Sequence, residues 1–86
     1  MKKSKKIAKE RLHMMAERAR MFASCREAFV ALISGMLEIA CPKFDAYEFY
    51  KKALGTRGNC YVDPLGEVTD EWAQVVVATA LTYVQE

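Results

Sequence analysis

Residues 19–42, Ala19-Arg-Met-Phe-Ala-Ser-Cys-Arg-Glu-Ala-Phe-Val-Ala-Leu-Ile-Ser-Gly-Met-Leu-Glu-Ile-Ala-Cys-Pro42, decide the fold. Apolar residues recur here at steps of four and three, the spacing of one helical face. The stripe enters from upstream through Ala8, Leu12, Met15, Ala19 and Phe22, and leaves through Phe29, Ile33, Met36 and Ala40. Only Arg26 interrupts it. Two readings follow. One long helix spans about 4–40, or two helices meet at a kink near Ser24, where Ser24-Cys25-Arg26-Glu27 has the form of a capping box. The absence of Gly and Pro before Gly35 favours the continuous helix. Lys6, Glu10, His13, Glu17 and Arg20 fall on its opposite face.

Residues 28–40 are apolar on nearly all sides, with Glu27, Ala31, Ser34 and Glu38 as a narrow polar edge. A helix of this kind must be covered on most sides. The expectation is a homodimer whose seam runs through Leu12, Met15, Phe22, Phe29, Ile33 and Met36.

Downstream, Cys41-Pro42 ends the helix. Asp45 then reads as an N-cap with Glu48 three residues on, Phe44 and Phe49 as a hydrophobic staple, and Gly55 as a left-handed C-terminal cap. Residues 56–68 form a loop. Within it Cys60-Tyr61-Val62 is a short extended piece and Asp63-Pro64-Leu65-Gly66 a β-turn with Pro second. Thr69-Asp70-Glu71 opens a last helix, with Trp72, Val76, Thr79, Ala80 and Tyr83 on one face. The run Val75-Val76-Val77 and the threonines favour strand by propensity; the capping signals and the length favour helix. The fold expected is all-α: a small helical bundle with a long or kinked N-terminal helix, a short aromatic helix and a C-terminal helix. Residues 1–86 form a single domain, with 1–6 a frayed, Lys-rich N-terminus.

The chain has 86 residues and a net charge of +2, and 52% of it is hydrophobic. That suffices for one core and is too short for a doubly wound nucleotide-binding enzyme or a solenoid. The charge is unevenly spread: the first twenty residues carry +6 and the remainder −4. Lys2, Lys3, Lys5, Lys6 and Lys9 would contact phosphates if the partner were a nucleic acid. Reading bases would call for Arg, Asn or Gln on one exposed face; Arg18 and Arg20 lie far along the helix, and no aromatic platform stands among those lysines.

Cys25, Cys41 and Cys60 cannot all pair within one chain, and none stands in a C-x-x-C arrangement. They read as reduced, buried thiols in a cytoplasmic protein. With His13 the single histidine, no nucleophile has an obvious base, and no phosphate-binding loop is present. The sequence implies no enzyme, cofactor or metal. Its longest nearly uncharged stretch is too short to cross a membrane.

Lys5-Lys6-Ile7-Ala8-Lys9-Glu10-Arg11-Leu12, followed by a second helix, resembles the helical opening of the archaeal ribonuclease P zinc-ribbon subunit. That family's zinc cysteines come in C-x-x-C pairs, which this chain lacks, so its function is not carried over.

The expected role is binding of a protein partner, as a small regulator, inhibitor or adaptor of the kind encoded by phages and mobile elements. Nucleic-acid binding through the lysines is the alternative, and a structural subunit of a larger assembly the third reading. The partner site is expected on Arg11, Met14, Arg18, Arg20 and Met21 of the first helix together with Arg57, Asn59 and Tyr61 of the loop, a mixture of Arg, Met and Tyr typical of interface anchors.

Overall fold

The computed structural model describes residues 9–55 and 63–84. Lys2, Lys3, Lys5, Lys6, Arg57, Asn59 and Tyr61, the extended piece at 60–62 and the frayed segment 1–6 lie outside the described residues. Four α-helices follow one another: α1 (Lys9–Phe22), α2 (Arg26–Ala40), α3 (Ala46–Leu54) and α4 (Asp70–Val84). Among the described residues there is no strand. Neighbours pack in a closed ring, α1 on α2, α2 on α3, α3 on α4 and α4 on α1.

The continuous helix over 4–40 is not formed. Helix α1 ends at Phe22, and Cys25 takes an extended conformation (φ −158°, ψ 174°) as the N-cap of α2. The cause lies far away in sequence. The first amides of α2 donate to carbonyls of the 63–66 turn: Arg26 N–H to Gly66 at 3.0 Å and Glu27 N–H to Pro64 at 2.8 Å. Those groups would otherwise be orphans at a helix start. A turn from elsewhere in the chain therefore allows a break that needs neither Gly nor Pro. The Ser24 capping box is not used, since no side chain caps α2; the Glu27 carboxylate instead accepts from the Tyr50 hydroxyl at 2.9 Å.

The turn itself closes as its sequence requires. Gly66 N–H donates to the Asp63 carbonyl at 3.0 Å, and Leu65 N–H to the Asp63 carboxylate at 3.1 Å. Helix α3 is capped by Asp45, whose carboxylate accepts from Glu48 N–H at 3.1 Å. The Phe44 and Phe49 rings lie 5.5 Å apart as the staple. Gly55 is not left-handed, as the cap had suggested. Its φ is −83°. Glycine is required there by proximity, because a Cβ would stand 2.3 Å from the Lys51 carbonyl oxygen.

Helix α4 starts on Thr69, whose hydroxyl accepts from Trp72 N–H at 3.2 Å. The strand propensity of its β-branched residues is overridden by packing: Ala73, Val76, Val77, Ala80 and Val84 are all buried. The hydroxyl of Thr79 is satisfied on the Val75 carbonyl at 2.9 Å.

The core unites all four helices. Leu12, Phe29, Val30, Ile33, Leu37, Phe49 and Ala80 have no exposed surface. Phe29 stacks on Trp72 at 5.6 Å between centroids, and Tyr83 sits edge-on to Phe44 and Phe49 at 6.2 and 6.3 Å. Ser34, expected on a polar edge, is buried instead, and its hydroxyl has no hydrogen-bond partner among the described residues. A buried unsatisfied hydroxyl costs stability, and Ala is the better helix former. Ser34→Ala is therefore expected to raise the urea midpoint, by about 1 kcal/mol in unfolding free energy. A lowered midpoint would show that the hydroxyl is stabilising.

Candidate protein-binding surface

Helix α1 is held by a narrow inward stripe, Leu12, Ala16 and Ala19, with Met15 half-buried at its border. These residues recur with the 3.6-residue period and leave the outer half of the helix free. Arg11, Met14, Arg18 and Met21 occupy that outer half and are exposed, Met21 by 78%. Phe22 is 77% exposed at the end of the helix. The first-helix part of the sequence-derived partner site thus stands together on one face, except for Arg20.

Arg20 points the other way. Its guanidinium forms an ion pair with the Asp70 carboxylate, and its second amino group donates to the Val68 carbonyl at 3.0 Å. This side chain ties α1 to the start of α4. An exposed pair of this kind contributes about 0–1 kcal/mol, so its main effect is to commit Arg20 within the chain. Arg26 acts similarly on the neighbouring strap. Its Nε donates to the Glu67 carbonyl at 2.9 Å, and its guanidinium lies over the Trp72 ring, 5.1 Å from the centroid.

The dimer seam requires correction. Leu12, Phe29 and Ile33 are fully buried within the chain's own core and cannot meet a second molecule. The four-and-three stripe marks the side of α1 and α2 facing this core. Of the seam, Met15 and Met36 are half-buried and only Phe22 is exposed. The apolar excess of residues 28–40 is real but sits elsewhere. Leu32 is 38% exposed and Ile39 86%. They lie off the stripe, which is why sequence periodicity passed over them. On α2 they share an outward arc with Ala28, Gly35 and Met36. Helix α2 packs on α1 and runs back along it, since the start of α4 meets both Arg20 and Phe29 while its end meets Phe44. Five of the eight exposed large apolar side chains of the described residues, Met14, Met21, Phe22, Leu32 and Ile39, belong to these two helices.

Elsewhere the surface offers little chemistry. A shallow cavity of about 160 Å³ between α1 and α4 is lined by His13, Glu17, Arg20, Asp70, Gln74 and three apolar residues. It contains no cysteine or serine to act as a nucleophile. Cys25 is half-buried at the N-cap of α2, where the nearest amides are already taken by the turn. Among the described residues no group of three or more His, Cys, Asp or Glu side chains could hold a metal ion, and no helix is long and apolar enough to cross a membrane. The Tyr50 phenol is raised above its ordinary value of 10.0, first by its hydrogen bond to Glu27, then by burial and by the carboxylate's charge. Of the lysines expected to contact phosphate, only Lys9 falls within the described residues, exposed at the start of α1.

The chain matches no family model, no curated protein and no solved structure.

Proposed function

We propose that this is a non-enzymatic binding protein that acts on a protein partner, as a regulator, inhibitor or adaptor, through the outer face of α1 and α2. The observation that carries the reading is the exposure of Met21, Phe22 and Ile39 beside Arg11 and Arg18. Exposed apolar side chains grouped on one face and interleaved with arginine mark interaction surfaces.

The test is capture from the native host with a tagged chain, followed by mass spectrometry. Arg18→Ala, Met21→Ala and Phe22→Ala are compared one at a time, each verified as folded by circular dichroism. At least one should weaken capture of the same partner by about tenfold or more, the effect of losing an interface anchor. If all three capture it as the unmodified chain does, the surface is wrong.

The charge of +6 on the first twenty residues favours nucleic acid as a second reading. That reading expects binding to duplex DNA or RNA that weakens steeply with added salt. No binding at low salt excludes it.

A further inference from the structure

The outer face of α1 and α2 has two unlike rims. Along the α1 side stand Arg11 and Arg18, and along the far side of α2 stands Glu38, all exposed. Between them run Met15, Phe22, Leu32, Met36 and Ile39. The start of α4 meets Arg20 and Phe29 and its end meets Phe44, so α2 runs back beside α1 and Arg11 and Glu38 lie toward the same end of the pair; Glu38 is in line with Glu27, which bonds to α3, and so stands on the side of α2 toward α3.

We propose that a second copy of this chain occupies the face, with α1 of each copy lying antiparallel over α2 of the other. The proposal rests on the binding reading above and names its partner. A two-fold axis parallel to the helices produces this arrangement, and it sets Arg11 of each copy against Glu38 of the other. The alternative axis, across the helices, lays α1 on α1 and faces arginine with arginine. Charge therefore selects between the two isologous dimers. The same arrangement brings the basic α1, with Arg11 and Arg18 free of partners in the core, over a helix whose exposed charges include Glu27 and Glu38. In size, α2 has 15 residues and is about 22 Å long. Two such helices about 10 Å apart give a face of roughly 500 Å² per copy. The total of about 1,000 Å² is the lower bound for a specific contact, so the dimer is expected in the micromolar range.

Sedimentation velocity on the full chain up to about 100 µM reads this directly. The unmodified protein should shift from monomer to dimer over the series. Phe22→Glu and Ile39→Glu, at positions so exposed that the core is untouched, should each weaken the dimer by about tenfold or more. Arg11→Glu and Glu38→Arg should each weaken it, and the two together should restore it. A monomer throughout overturns the proposal. So does a dimer indifferent to both glutamate variants, or a doubly reversed chain weaker than either single reversal. If the chain stays monomeric while Arg18→Ala still abolishes capture of another protein, self-association is overturned and the binding reading stands.

Discussion

Phe29→Ala is expected to lower the unfolding free energy by about 3–5 kcal/mol, a large part of the total of about 4–13 kcal/mol that a chain this size possesses. The ring has no exposed surface and lies against Trp72 of α4 at 5.6 Å. Its removal takes away the transfer free energy of the ring and leaves a cavity beside Trp72 that neighbouring backbone closes only in part. At about 4–8 °C per kcal/mol for a small domain, thermal unfolding should shift down by more than about 12 °C. Leu32→Ala provides the contrast. It stands three residues away on the same helix but is 38% exposed, and should cost well under half as much. If the two losses were equal, the inward face of α2 would be misassigned, and Phe29 would belong to the surface on which the sequence periodicity alone had placed it.

The second large effect is expected at Arg26. One residue there ties α2 to the 63–67 segment and to α4, twice through its side chain and once through its backbone. Its Nε donates to the Glu67 carbonyl at 2.9 Å, its guanidinium covers Trp72, and its own backbone N–H is held by Gly66 at 3.0 Å. A hydrogen bond from a charged donor contributes about 1.5–3 kcal/mol, and a partly desolvated cation–π contact about 0.5–2 kcal/mol. Allowing for partial exposure, Arg26→Ala should cost about 2–3 kcal/mol by denaturant unfolding. Arg26→Lys should recover little, because an ammonium cannot both lie flat on the indole and donate from the Nε position. Full recovery with lysine would reduce the role of Arg26 to its charge.

Much of the architecture could be read from local signals, because those signals are complete within a few residues. Asp45 caps α3 and Phe44 meets Phe49 within one turn of helix. Thr69 caps α4, and Asp63–Gly66 closes as a β-turn. The break between α1 and α2 was legible only as one of two readings, at Ser24, and local signals could not decide for it, for a physical reason. The carbonyls that satisfy the first amides of α2 belong to Pro64 and Gly66, nearly forty residues away, and no local pattern announces them. The same limit applies to the faces. A stripe at four-and-three spacing shows that a side is covered, not by what. For Leu12, Phe29 and Ile33 the cover is the chain's own core, so the residues singled out for a dimer became interior. The residues left outside, Leu32 and Ile39, repeat at helical spacing with Ala28 and Gly35, but in a segment apolar on nearly every side that line does not stand out. Arg11, Met14, Arg18 and Met21 were legible as a surface because they lie opposite the inward stripe of α1; Arg20, on the same helix, was not, because its partner Asp70 comes from the other end of the chain.

On the proposed reading, the outer face of α1 and α2, and not the α1–α4 groove, meets other protein. Site-specific photo-crosslinking in the native host tests it most directly. A photoreactive residue is placed at Phe22 in one variant and at Gln74, exposed in the α1–α4 groove, in another. Crosslinks to protein are expected from position 22 and not from position 74, and the mass of the product separates a second copy of the chain from another partner. Crosslinking confined to position 74, or absent from position 22, would contradict the account.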